Sequence, residues 1–300
     1  MFRSSVKNSK FSRSGLAVSI VIAVQALGVG AVWSQEAAQP RMEKEIRKQE
    51  KIYNSRGADV PEGYITGRTL LSYLQVLPSG FCQSLGTLGS SDRWLDIGAG
   101  AGQAILDYHA PEADAPGKMC SGAGGRVSAV AISIEDRRTE KWRRRAASLG
   151  EGRIRYLAGK RLRQYSSEEL GRFQIITDVF GGFSYTEDLS LFMDKALGLL
   201  DVGGVFYTLV QGVHLEDGKD NPNTSYLTEL VDGAGRDEKV CSWLKRTTCV
   251  QVTCESKSNW HAPTELIAIK KVCGDISVPR MKLLKYEAGD PPGRRFQMEP

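Results

Sequence analysis

The sequence predicts an α/β protein built on a largely parallel sheet, and three observations carry that prediction. Strand-like and helix-like segments alternate along the middle of the chain. A glycine-rich turn, Asp96-Ile-Gly-Ala-Gly-Ala-Gly102, joins the first of those strands to a helix. Leu189, Phe192, Met193, Ala196, Leu197 and Leu200 fall on one face of a single helix, the spacing of an element packed on a sheet. With 300 residues, 41% apolar and 25% charged, the chain has material for one large domain or two small ones. Disorder and collagen-like structure are excluded as descriptions of the whole.

In chain order, residues 62–88 supply Leu70, Leu71, Tyr73, Leu74, Val76 and Leu77, the makings of a packed N-terminal helix. Strands follow at Arg93–Ile97, Arg126–Ile132, Arg153–Leu157 and Phe173–Asp178. A helix starts near Ala101 and a basic one covers 137–149. The amphipathic helix takes Thr186 as its N-cap, with Glu187 and Asp188 at the positive end of its dipole, and Gly203-Gly204 stops it. Val205–Val210 reads as a buried strand, residues 211–245 as irregular with a helix or two inside, and Val250–Cys254 and Glu265–Lys271 as the last strands. Residues 286–300, with their Pro-Pro-Gly, read as a flexible tail, and there is no internal repeat.

The net charge of +5 is mostly local. Arg3, Lys7, Lys10 and Arg13 precede residue 35 without a single acid, and the remainder sets 36 basic against 35 acidic residues. Residues 14–35 carry no charge. A basic start, an apolar run and small residues before Ser34 make 1–34 a signal peptide, giving a periplasmic or secreted protein, or a retained membrane anchor. Arg41, Lys44, Arg47, Lys48 and Lys51 follow the run, so charge does not set its orientation. Residues 35–61 read as a polar linker or solvated helix. Cys82, Cys120, Cys241, Cys249, Cys254 and Cys273 include no CxxC pair, which argues against structural zinc. They suit one to three disulfides in an exported chain and buried thiols in a cytoplasmic one.

The glycine turn has a physical reading of its own. Glycines allow tight turning and close approach of a ligand, and the helix start presents unpaired N–H groups. A dinucleotide-binding turn needs G-x-G-x-x-G, but the last position here is Gln103. D-x-G-x-G-x-G resembles motif I of the class I S-adenosylmethionine-dependent methyltransferases. FQIITDVFGGFSYTED (173–188) resembles the family's fourth-strand motif, and LGLLDVGGVFYTLV (197–210) is similar to its turn into the fifth strand. The likeness covers about residues 62–273, within a methyltransferase-like domain of 62–285. It implies a three-layer Rossmann-like fold, with a seven-stranded sheet of order 3-2-1-4-5-7-6 and an antiparallel last strand. It also implies S-adenosylmethionine as cofactor, with Gly98, Gly100 and Gly102 lining its methionine part, Asp96 near the amino group and Asp178 beside the same end.

The chain departs from the family at two positions. The acid that normally holds the ribose hydroxyls is replaced by Ala131, with Glu135 and Asp136 close behind it and Glu135 the candidate substitute. The Gly-Asp that contacts adenine is Gly159-Lys160. Between 137 and 163 lie eleven Lys/Arg residues against Glu140 and Glu151, either a solvated face or a patch for an anionic partner, with Trp142 inside it. His109, His214 and His261 have no metal or triad spacing, Tyr185 and His261 are candidates for an acceptor pocket, and Asn223-Thr-Ser is a glycosylation sequon. Two functions follow: a methyltransferase of unassigned acceptor, and an exported, non-catalytic binding protein that keeps the fold. A nicotinamide oxidoreductase ranks third.

Overall fold

A computed structural model describes residues 40–48, 51, 67–111, 120, 127–150, 152–211, 228–257, 264–289 and 292–300. The signal or anchor segment, most of the linker, His214, His261 and the sequon lie outside the described residues. Residues 44–300 form one compact unit; of the other unit, 1–43, only a helical stretch from residue 40 is described. Among the described residues no helix is long and apolar enough to cross a membrane.

The order of elements is α1 (Leu70–Val76), α2 (Phe81–Gly86), β1 (Arg93–Ile97), α3 (Gln103–His109), β2 (Ser128–Ser133), α4 (Glu140–Ala147), β3 (Ile154–Ala158), α5 (Ser167–Leu170) and β4 (Phe173–Asp178). Next come α6 (Gly182–Tyr185), α7 (Leu189–Gly198), β5 (Leu200–Gln211), β6 (Thr228–Val231), β7 (Asp237–Glu238) and α8 (Val240–Leu244). The chain closes with β8 (Val250–Lys257), β9 (Thr264–Lys271), β10 (Met281–Glu287) and β11 (Gly293–Met298). The main sheet runs β3-β2-β1-β4-β5-β9-β8, parallel through β5 and antiparallel at its last two strands. Counted within that sheet, the order is the 3-2-1-4-5-7-6 that the motifs imply.

Side-chain alternation divides the interior into two layers. In β2, Val130 and Ile132 join the core on one face with Met193 and Leu197 of α7, whereas Ala129 and Ala131 join the other with Tyr73 of α1 and Ile105 of α3. The small side chains of Ala129 and Ala131 leave room on that second face, which a large residue of β3 takes up.

Three local expectations are corrected. The cap of α7 is Asp188, whose carboxylate accepts from the Leu191 N–H at 2.8 Å; Thr186 instead holds the Asp188 N–H at 3.1 Å. The same helix ends at Gly198 and the chain enters β5 at Leu200, so Gly203-Gly204 lies within the strand and stops nothing. Residues 286–300 are no tail. Strand β11 pairs antiparallel with β10 and parallel with β6, completing a second sheet, β10-β11-β6-β7, that uses part of the supposedly irregular 211–245 region. Phe296 of β11 is fully buried, and the Arg294 side chain donates to the Phe183 and Thr186 carbonyls at 2.9 and 2.6 Å.

All six cysteines are paired, as Cys82–Cys120, Cys241–Cys254 and Cys249–Cys273. The first joins α2 to residue 120; the other two fasten the β8 edge of the main sheet to α8 and to the segment after β9.

Candidate functional site

The carboxyl ends of β1, β2 and β4 converge because these three strands are parallel neighbours. Asp96 of β1 is in register with Ala131 of β2 and Thr177 of β4. Its carboxylate is fully buried and held by a chain of donors. The Trp94 indole N–H donates to the Thr177 hydroxyl at 2.9 Å, and that hydroxyl donates to Asp96 at 2.7 Å. On the other side the Tyr73 hydroxyl, brought in by α1, spans both Asp96 oxygens at 2.9 and 3.0 Å. Burial pushes the Asp96 carboxyl up to about 6, while the hydrogen bonds from Thr177 and Tyr73 and the charge of Arg68 pull it down.

Asp178, at the end of β4, is equally buried and accepts from the Gly181 and Phe183 N–H groups, each at 3.1 Å. It caps the turn into α6. Burial, with the nearby Asp96 charge adding to it, outweighs the two backbone hydrogen bonds and the charge of Arg68, so the Asp178 carboxyl is pushed up to about 7. That turn lies hard against β1: a Cβ on Gly98 would stand 2.3 Å from the Gly181 Cα, so only glycine fits. Gly98 also has φ of +71°, which L side chains avoid. The guanidinium of Arg68, just ahead of α1, donates to the Gly98 carbonyl at 3.3 Å and lies over the Phe180 ring. Its Nε is buried without a hydrogen-bond partner. A cation with a spare donor therefore sits beside the glycine turn, near two buried carboxylates.

The β2–β3 side is built differently. Tyr156 of β3, in register with Ala131, donates its hydroxyl to the Gly100 carbonyl and lies 3.2 Å from that of Glu135. The Trp142 indole N–H donates to the Gly102 carbonyl at 3.2 Å, and its ring meets Tyr156 edge-on at 5.8 Å. A Cβ on Gly102 would be 3.3 Å from Tyr156 and 3.4 Å from Trp142, so these rings already fill the open side of the third glycine. Arg138 covers Tyr156 at 4.3 Å while making a two-pronged contact to Asp136 at 2.7 and 2.9 Å. Glu135 is paired with Arg137.

Strand order and turn placement together decide the fold. The chain has the class I methyltransferase fold. No family model matches the sequence, and no curated protein does. Among solved structures the chain is similar to an rRNA methylase from Streptococcus thermophilus, at 11% identity over 64% of this chain and 94% of that one, with a TM-score of 0.38. An O-methyltransferase family protein from Burkholderia thailandensis gives 12%, 82%, 72% and 0.42 on the same measures. Precorrin-6y C5,15-methyltransferase from Geobacter metallireducens GS-15 gives 14%, 63%, 86% and 0.37. These likenesses are distant; topology alone carries the fold assignment.

For a methionine moiety at the glycine turn, Arg68 would offer the carboxylate a cation and an unused N–H, and the buried carboxyls of Asp96 and Asp178 would face the ammonium. At the nucleoside end the fit is poor. Tyr156 stands where the ribose acid is missing at Ala131, and Lys160, where the adenine contact would be, is exposed with its ammonium over the Tyr165 ring. Asp96, Gly98, Gly100, Gly102 and Asp178 are thus brought together, whereas the Glu135 carboxylate is engaged by Arg137. Arg68, Tyr73, Thr177 and Tyr156 line the same region; Thr177 lies within the fourth-strand motif, and the other three lie outside every motif.

Part of the basic stretch is paired nearby. Arg138 and Arg143 share Asp136, Arg163 pairs with Glu187, and Arg145 donates to the Ala110 carbonyl. Trp142 is buried rather than available for stacking. His109 has its ring nitrogens 3.2 and 3.0 Å from the Ile105 and Val127 carbonyls, a structural link between α3 and the start of β2. Tyr185 ends α6, while its proposed partner His261 lies outside the described residues.

Proposed function

We propose that the chain is an S-adenosylmethionine-dependent methyltransferase of unassigned acceptor. The observation that carries this reading is Arg68, whose buried, unpartnered Nε faces no hydrogen-bond acceptor of the protein beside the Gly98 turn of a methyltransferase fold. The cofactor supplies a methyl group on a sulfonium, so the protein has only to align donor and acceptor. Arg68 would hold the carboxylate of the methionine end. Asp96, kept in place by Tyr73 and Thr177, would orient the ammonium through its field or a bridging water, with Asp178 adding to the same potential. Titration of the purified, disulfide-intact chain with the demethylated product, S-adenosylhomocysteine, tests the reading: saturable binding supports it, and no binding at millimolar ligand removes it.

A second reading, an exported binding protein that keeps the fold without the chemistry, is favoured by the three disulfides. Disulfides persist in oxidising compartments, whereas the cofactor is made in the cytosol. Export through 1–34 is the shared prediction of this reading and the cysteine pairing. Cell fractionation with thiol labelling separates the two: mature, thiol-free protein outside the cytoplasm favours the second. An anchored chain facing the cytoplasm favours the first.

A further inference from the structure

We propose that Tyr156 is a plug in the nucleoside half of the site, so that a nucleoside-bearing ligand enters only after the Tyr156 hydroxyl releases the glycine turn. The proposal rests on the methyltransferase reading above and concerns which part of the ligand the resting protein admits.

The observations are independent of the motif resemblance. Ala131 is fully buried and in register with Tyr156, so the space that a longer side chain on β2 would use is open to the β3 tyrosine. The hydroxyl joins two separate loops, reaching the Gly100 carbonyl after β1 and the Glu135 carbonyl after β2. Ring position is fixed on two further sides. Trp142 meets the ring edge-on and is tied to the Gly102 carbonyl, and Arg138 lies over the ring while held by Asp136. The tyrosine therefore satisfies a carbonyl of the glycine turn and crosses the gap between β1 and β2 at once.

Arg68 sits on the opposite, β4 side of the same turn, where it contacts Gly98 and Phe180. An α-amino acid engaging Arg68 has no need to displace Tyr156. A nucleoside attached to that amino acid does. When a competent conformation is only partly populated, apparent affinity falls by that fraction. Removing the hydroxyl takes away the one proton that serves the Gly100 carbonyl, with the Glu135 carbonyl beside it, while keeping the ring; the loss is that of one hydrogen bond.

The test is calorimetry on the intact chain, Tyr156→Phe and Tyr156→Ala, with S-adenosylhomocysteine and with L-methionine as probes. Expected for Tyr156→Phe is a gain in S-adenosylhomocysteine affinity of about five- to tenfold with unchanged L-methionine affinity. Equal or weaker S-adenosylhomocysteine binding in Tyr156→Phe, with the parent chain binding, overturns the plug and leaves the methyltransferase reading standing. Absence of binding by the parent and both variants overturns that reading and the plug with it. The phenylalanine variant keeps the test decisive should the alanine variant fail to fold.

Discussion

Gly98 and Gly181 face each other across the ends of β1 and β4 with no room for a methyl group between them. A Cβ on Gly181 would meet the Ile97 carbonyl oxygen at 2.3 Å and the Gly98 Cα at 3.0 Å. Both obstacles are backbone, so relief requires two strands to separate. Gly181→Ala is expected to destabilise the fold by about 2–4 kcal/mol, the range of severe packing defects. Denaturant unfolding checks this, and a change below about 0.5 kcal/mol would show that the two turns are not clamped together.

The buried carboxylates predict a pH dependence of definite sign. Asp178 titrates near 7 in the folded chain, against an ordinary value of 3.8. Between those values the folded state holds a proton that the unfolded state has released, so this group's contribution to stability falls as pH rises. His109, pushed down to about 4 by burial and the charge of Arg153, slopes the other way below about 6.5. A difference measurement isolates Asp178. Relative to the parent, Asp178→Asn should gain about 2 kcal/mol of stability between pH 5 and pH 8, read from urea unfolding at each pH. A constant difference would contradict a raised Asp178.

Much of this fold is written locally, and the exceptions have a common cause. The strands β1, β4 and β5 and helix α7 show in the apolar pattern because each buries a face close to its sequence neighbours. The second sheet does not show. Strand β6 holds four residues and β7 two, and β11, the partner of β6, lies more than sixty residues further along the chain. In β11, Arg294 and Phe296 share a face in strand alternation, a signal masked by the adjacent prolines and by the charge of an arginine that proves to be buried. The site divides in the same way. Asp96, the three glycines and Asp178 are contiguous with recognisable turns. Tyr73 and Thr177 reach Asp96 from 23 and 81 residues away, and Tyr156 reaches Gly100 from 56. Only the missing acid at Ala131 hinted that something else would occupy that place.

The disulfides predict a redox-dependent stability. Cys82 and Cys120 are separated by 38 residues, and closing a loop of that length stabilises by roughly 3–4 kcal/mol in the chain-entropy account. Replacing both with serine should lower the unfolding free energy by about that amount in guanidinium titrations. Iodoacetamide should label no cysteine of the native chain until a reductant is added. Labelling without reductant would contradict the pairing.

Arg68 predicts a loss of affinity separable from folding. Arg68→Gln removes a charge and the spare donor from the turn but leaves the Asp96 network with Tyr73 and Thr177 intact. Binding of S-adenosylhomocysteine should weaken by about tenfold or more, the worth of a charge-assisted hydrogen bond, with the melting temperature nearly unchanged. Equal affinities in parent and variant would move the carboxylate away from Arg68.

The central claim is that the carboxyl ends of β1 and β4 form a working cofactor site, and direct calorimetric titration of S-adenosylhomocysteine into the disulfide-intact chain tests it most directly. One site per chain is expected, with a dissociation constant below about 1 mM, where binding is worth roughly 4 kcal/mol. Binding should be tighter in Tyr156→Phe and weaker in Arg68→Gln. No measurable heat at millimolar ligand, in the parent and in Tyr156→Phe alike, would contradict it.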